Sequence, residues 1–301
     1  MLKRINIYFK EMFPLIPRLL LTFLCFTEIY FILLLNQNVT EFNLGIQEVV
    51  GAFTLFTFLL WLRIADDFKD YELDCRLFAH RPLPSGRVKK KDLVIVLAVL
   101  IPIVTVLNII YMNNLSFFIF LYTYGFLMAM WFFQKFKIQK NLVLALVTHN
   151  PVQLIINLYI ISFTCIKYDL PWISLPNALL LFTLYFPALM WEVSRKIRAP
   201  KNETEYVTYS KLFGYKRASN FVLIIAWVDI ITNILLLWKL NVIGIVVLMI
   251  NIAYLTFITS KFNQDPEKFA YVGKVELYTY IQESVMVICI PIFLIFGPII
   301  L

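Results

Sequence analysis

The sequence predicts an all-α, polytopic membrane helical bundle with about nine transmembrane helices, forming a single domain over 1–301. Three observations predict it. Hydrophobic residues make up 61% of the chain and charged residues 15%, with a mean hydropathy of +0.79, where a soluble domain is about half apolar and a quarter charged. The apolar residues gather in runs long enough to cross a bilayer. The cationic residues gather in alternate connections between those runs.

A helix needs roughly 20 apolar residues to cross the hydrocarbon core. Runs of that order lie near 14–36, 48–65, 93–112, 115–134, 141–165, 173–192, 220–238, 240–260 and 276–300. Lipid offers no partner for a free amide, so these runs are expected to close their hydrogen bonds internally, as helices. The first run is too long for the apolar region of a signal peptide, and no small-residue cleavage site follows it. Cys25, Cys75, Cys165 and Cys289 form no C-x-x-C pair and read as reduced packing residues.

Orientation follows from Lys and Arg. Of the 27 basic residues, all but Lys167 and Lys239 fall in the N-terminal segment or in the connections after the second, fourth, sixth and eighth runs. The positive-inside rule places these segments in the cytoplasm and the C-terminus outside. The net charge of +8 is then a record of topology, with no nucleic-acid partner implied. Both long connections, near 63–92 and 193–219, lie on the cytoplasmic side, and chemistry is expected there.

The connection after the second run opens with Arg63-Ile-Ala-Asp66-Asp67-Phe-Lys69-Asp70-Tyr-Glu-Leu-Asp74. Asp67, Asp70 and Asp74 stand at i, i+3 and i+7, one face of a helix, and Asp66 lies four residues before Asp70. Like charges so close repel, and a hard divalent cation removes the repulsion. Magnesium takes one or two carboxylates and completes its shell with water and substrate phosphates, so an Asp-rich helix end suits a magnesium–diphosphate site. A solvated acidic helix end paired to its neighbouring cations has the same spacing. The next residues, His80-Arg81-Pro82-Leu83-Pro84-Ser85-Gly86-Arg87, form a turn that either simply connects two spans or returns Arg81 and Arg87 toward an anion.

Asp66-Asp67-x-x-Asp70-x-x-x-Asp74 followed by Arg81-Pro82-Leu83-Pro84-Ser85-Gly86 resembles the first signature of the UbiA-type intramembrane prenyltransferase superfamily, N-D-x-x-D-x-x-x-D and then R-P-[LI]-P-[SR]-G. Asp66 stands where that family usually has Asn. The span number and the termini are also similar. The family's second signature, D-x-x-x-D after the sixth span, is altered here. Glu192 can stand for the first Asp, but Lys196 occupies the fourth position after it, and Glu203 and Glu205 lie further on. The stretch from Thr208 to Gly214 resembles the family's T-L-x-x-x-x-G, and Trp131-x-x-x-Lys135 is a weak echo of its Y-x-x-x-K.

The resemblance implies a bundle around a central substrate cavity. It implies Asp67, Asp70, Asp74 and Glu192 as catalytic residues, with magnesium ligands drawn from these and Asp66. Arg63, Lys69, Arg81, Arg195, Lys196 and Arg198 would neutralise the diphosphate, where guanidinium forks are well suited. His149 and Asn150, before Pro151 in the fifth run, would line the cavity or form a satisfied interior pair. Glu28, Asp229 and Glu283, also within runs, read as helix-packing groups or as protonated carboxyls. The implied partners are an isoprenyl diphosphate, a lipophilic or aromatic acceptor and membrane lipid, and the implied location is a bacterial cytoplasmic membrane. A membrane terpene cyclase of the same superfamily and a transporter are the competing readings. Product analysis without added acceptor separates the first of these from a transferase.

Topology is directly measurable. Tags after residues 38 and 168 should be labelled from outside intact cells, and tags near 88 and 205 only after permeabilisation. Outside labelling of the latter pair would overturn both the orientation and the placement of the site.

Overall fold

The computed structural model describes residues 1–204 and 206–300. It is helical, with no strand among the described residues beyond an isolated bridge between Asn241 and Ile299. Helix α1 (Leu2–Glu11) precedes α2 (Leu15–Asn36) and α3 (Ile46–Lys69), and the short α4 (Tyr71–Leu77) follows α3 directly. Next come α5 (Lys90–Leu107), extended by a π-helical turn over Asn108–Met112, then α6 (Leu115–Ala129), α7 (Lys135–Lys140), α8 (Leu142–His149) and α9 (Val152–Tyr168). The remainder is α10 (Leu175–Thr183), α11 (Tyr185–Ser194), α12 (Tyr209–Phe213), α13 (Tyr215–Leu237), α14 (Val242–Gln264) and α15 (Tyr271–Phe296).

Eight stretches among the described residues are long and apolar enough to cross a membrane: α2, α3, α5 with its π turn, α8–α9, α10–α11, α13, α14 and α15. The chain is therefore an integral multi-pass membrane protein. The run expected at 115–134 is shorter than the rest. Its helix α6 has 15 residues, about 22 Å of rise against a hydrocarbon core of about 30 Å. It stops because Trp131, Phe132 and Phe133 take left-handed backbone angles, with φ of 53°, 47° and 58°.

Two spans are broken at prolines. α8 ends at His149 and α9 resumes at Val152, because Pro151 has no amide proton to donate. α10 and α11 part at Leu184, and Pro187 likewise leaves the Thr183 carbonyl without its helical donor. Outward faces are apolar: Val99, Ile103, Val106 and Ile110 of the third stretch are all exposed at helical spacing. In water such a stripe would be a liability, but facing lipid it is the expected surface.

The helices pack as two compact units. The first comprises Met1–Thr27, Glu41–Lys135 and Ile166–Tyr168, and the second Glu28–Thr40, Phe136–Cys165 and the chain from Asp169. In the first unit, α1, α3, the turn after α4 and the start of α5 share one core of Tyr8, Phe13, Phe56, Leu60, Ile64, Leu83, Val88 and Leu93. That core fixes the turn of the proline-rich motif onto the end of α3. In the second unit, interior polar side chains link the spans. Thr183 donates to Asn233 at 2.7 Å, Asn233 to Asp229 at 3.1 Å, and Asn251 to the Tyr278 carbonyl at 2.9 Å. Asp229 and Glu28 are buried here, consistent with groups that pack between helices.

Gly125 lets α6 approach α3. A Cβ there would overlap the Trp61 ring and press on Phe58. Gly125→Ala should therefore lower stability by about 1–3 kcal/mol, as overpacking does. Thermal unfolding of the purified variant in detergent measures this, and an unchanged midpoint would show that the Trp61 ring shifts freely.

Candidate functional site

The first motif sits where α3 leaves its apolar packing. The chain bends at Asp70, with φ −100° and ψ 9°, yet helical hydrogen bonds carry across the bend: Asp70 N–H donates to Asp66 O and Asp74 N–H to Asp70 O, both at 2.9 Å. Helical hydrogen bonding thus carries through the motif, although the helix itself is interrupted at Asp70. The carboxylates nevertheless have different surroundings.

Asp67 is 5% exposed, and each of its oxygens accepts a hydrogen bond. Arg63 Nη2 donates to Oδ1 at 2.6 Å, and Tyr8 Oη donates to Oδ2 at 2.6 Å. Asp74 is 6% exposed and accepts two bonds from Arg81 Nη1, both at 2.9 Å. Asp66 faces outward and pairs with Lys69 at 2.9 Å. Lys69 also lies over the Trp131 ring, 4.5 Å from its centre. Asp70 forms no ion pair among the described residues. Partial burial raises its carboxyl above the usual range, Lys69 opposes that shift, and the charges of Asp66, Asp74 and Asp67 reinforce it.

The turn after α4 is built to hold two arginines. Ser85 N–H donates to Arg81 O at 3.0 Å and Val88 N–H to Pro82 O at 2.9 Å, and Gly86 supplies the left-handed φ of 75°. Leu83 and Val88 anchor the turn in the core. Arg81 lies over the Phe78 ring at 4.0 Å. Arg87 binds Glu11 through both terminal nitrogens, at 2.5 and 2.9 Å, and the His80 carbonyl at 2.6 Å. That pairing holds the Glu11 carboxyl below its usual range.

Between these pieces lies a cavity of about 330 Å³ lined by Glu11, Met12, Arg63, His80, Arg81 and Pro82. Two guanidinium groups and a histidine line it together with the Glu11 carboxylate, and Asp67 and Asp74 are bound to the two arginines. Arg63 and Arg81 were legible from the sequence. The wall supplied by α1, with Glu11, Met12 and the Tyr8 bond to Asp67, was not. The local signal was only a short helix with an apolar side, and such a helix can lie on lipid as readily as on protein.

The second motif lies in the other unit, at the end of α11. Arg195 and Lys196 both pair with Glu192, Lys196 at 2.8 Å. Arg195 also stacks over Trp191, whose indole donates to Glu276 at 3.0 Å. The loop beyond is tied to itself. Arg198 N–H donates to Ser210 Oγ at 2.8 Å, and Arg198 Nη1 to Thr204 Oγ1 at 2.8 Å. Glu203 accepts from the Thr208 and Ser210 hydroxyls. Glu205 lies outside the described residues. Tyr209 is buried, and burial first and then the Glu192 charge raise its phenol above the usual range. His149 is half-buried, its Nδ1 3.0 Å from Thr148 Oγ1 and 3.1 Å from the Ala145 carbonyl. Asn150 follows it at the break before Pro151.

Among the described residues, no three His, Cys, Asp or Glu side chains converge as a preformed metal cage. Hard oxygen donors that suit magnesium are nevertheless present, because that ion takes few protein ligands and keeps positions for water and phosphate. Asp70, without a cationic partner, and the outward Asp66 fit such a role.

Comparison with known proteins gives two findings. The model of the UbiA prenyltransferase family matches residues 20–275, a range holding both motifs. A solved structure described as digeranylgeranylglyceryl phosphate synthase superposes with a TM-score of 0.61 at 14% identity, covering 98% of this chain and 99% of that one. At that identity the likeness concerns the fold. No curated protein sequence matches the chain.

The two arginine pairs should differ in stability. Arg81→Ala leaves the buried Asp74 carboxylate without its donor and should cost about 1–3 kcal/mol. Arg195→Ala leaves Glu192 still paired with Lys196 at a more exposed place and should cost less than about 1 kcal/mol. Thermal unfolding of the two variants side by side checks this, and equal losses would contradict it.

Proposed function

The chain belongs to the UbiA prenyltransferase family, and on that premise we propose that it transfers a prenyl group from an isoprenyl diphosphate to a lipophilic or aromatic acceptor within the membrane. The observation that carries this reading is the cavity in which Arg63, His80 and Arg81 stand beside the Asp-rich end of α3. A diphosphate is a multiply charged anion with bidentate faces, and guanidinium forks are the groups best shaped to receive it.

The chemistry follows from charge. The allylic C–O bond breaks with both electrons going to the diphosphate, and the new bond forms between the allylic carbon and the acceptor, which gives up a proton. The leaving group gains negative charge as the bond breaks, so fixed cations aimed at it lower the barrier. Arg63 and Arg81 perform this in the first unit, assisted by Lys69. Each is neutralised by an aspartate, Arg63 by Asp67, Arg81 by Asp74 and Lys69 by Asp66. Their unused N–H groups serve the incoming anion without leaving a carboxylate bare.

Magnesium, when bound, would add charge neutralisation at the diphosphate oxygens. Asp70 and Asp66 would supply its carboxylate ligands, with Asp67 and Asp74 available beside them. In the second motif, Glu192 is the one acidic donor at the helix end, flanked by Arg195 and Lys196. That motif is therefore proposed to bind diphosphate oxygens chiefly through Arg195, Lys196 and Arg198. The motif-bearing connections are proposed to face the cytoplasm, where soluble diphosphates are made.

The test is incubation of purified protein with magnesium and labelled prenyl diphosphates of several lengths, with and without a lipid extract. Acceptor-dependent product is the expected result, and cyclised product without acceptor would favour the cyclase reading. Asp70→Asn and Asp74→Asn should each reduce diphosphate release by about a hundredfold or more. Asp66→Asn, which restores the family's usual residue, should be milder. Full turnover in the Asp70 and Asp74 variants would mean that the cluster is a solvated helix end.

A further inference from the structure

We propose that Tyr8 is a positioning residue of this site, a neutral hydrogen-bond donor that fixes the Asp67 carboxylate so that Asp67 holds Arg63 at the cavity wall. The inference rests on the diphosphate reading of the cavity and adds to it a residue outside both motifs.

The phenol of Tyr8 is not needed to fill space. Its ring lies in the shared core with Phe56, Leu60 and Ile64, and edge-on to Phe9 at 6.3 Å, contacts that a phenylalanine would make equally. What the hydroxyl adds is a bond to Asp67 Oδ2 at 2.6 Å, with the Arg63 guanidinium also near it, and Tyr8 itself is fully buried. A carboxylate buried beside an apolar cluster is costly unless its oxygens are satisfied. Asp67 has two donors of different kinds. Arg63 is charged and lines the cavity, and its Nε makes no hydrogen bond among the described residues. Tyr8 is neutral and lies in the core, away from solvent.

This difference gives the two donors separate tasks. An anion in the cavity competes with Asp67 for the guanidinium of Arg63. A carboxylate that depended on Arg63 alone would be left half-satisfied, or would rotate after it. With Oδ2 held by Tyr8, the plane of Asp67 stays fixed while Arg63 is shared between Oδ1 and the ligand. Each carboxylate oxygen has a second lone pair, so Tyr8 does not prevent Asp67 from also meeting a metal ion.

Helix α1 is placed to supply that donor reliably. It is clasped at three points along its length: Arg4 to Asp92 at 2.6 and 2.8 Å, Tyr8 to Asp67, and Glu11 to Arg87. Two of these three partners lie in the motif region itself. The N-terminal helix is thus a wall of the site.

The experiment uses the full chain in lipid nanodiscs and measures binding of inorganic pyrophosphate with magnesium by titration calorimetry. Tyr8→Phe, which removes one oxygen atom, should weaken binding about tenfold, the scale of one hydrogen bond to a charged group. Ile7→Ala, which disturbs α1 packing and leaves the hydroxyl, should bind within about twofold of the parent, since it removes no polar contact. In an Asp67→Asn background, adding Tyr8→Phe should produce no further loss. This pair also serves if Tyr8→Phe alone fails to fold, because the buried charge is then absent. Parental affinity in Tyr8→Phe, an equal loss in Ile7→Ala, or a further tenfold loss in the Asp67→Asn background would each overturn the inference. If the parent protein binds no pyrophosphate at all, the diphosphate reading itself fails. If the parent binds and Tyr8→Phe binds equally, only the role of Tyr8 fails.

Discussion

A carboxylate at the border of a bilayer must be compensated where it stands, and the first unit is organised around that requirement. Asp67 and Asp74 are both nearly buried, and each is met by an arginine within hydrogen-bond distance. Arg63 comes from one turn earlier on the same helix, so α3 supplies it without further cost. Arg81 comes from seven residues later and reaches Asp74 only because the turn after α4 is rigid and anchored in the core by Leu83 and Val88. The prolines and Gly86 of that turn serve this geometry. Tyr8 comes from further still, carried to Asp67 by the packing of the apolar side of α1 in the same core.

The same compensation keeps an acidic cluster tolerable at one helix end. Four aspartates near one helix end would repel one another without counter-charges. Here three of them are paired with Lys or Arg, which offsets that repulsion. Glu192 with Arg195 and Lys196 follows the same rule in the second unit, but with cations in excess. The altered second motif is therefore an arrangement of opposite sign bias, with direct cationic contact available where the family's pattern has a second acidic ligand.

Much of this was legible in the sequence, because lipid imposes simple rules. Apolar run length gave eight of the spans, and Pro151 accounts for the break between α8 and α9. The shortness of α6 was not legible. The run 115–134 is apolar to its end, and nothing in its composition distinguishes helix from the left-handed turn at Trp131–Phe133. Arg63, Asp67, Asp70 and Asp74 were legible because helical periodicity fixes which side chains share a face.

The sequence by itself determined the class of protein, the acidic motif and the turn that follows it, since each depends on residues close together in the chain. Tertiary structure alone decided which distant side chain answers which partner. Tyr8 and Asp67 are 59 positions apart, Arg87 and Glu11 are 76, and Arg4 and Asp92 are 88. No local period connects such pairs. They meet because the apolar side of α1 and the anchored turn bury themselves in one core, and only packing states which polar groups that burial brings together.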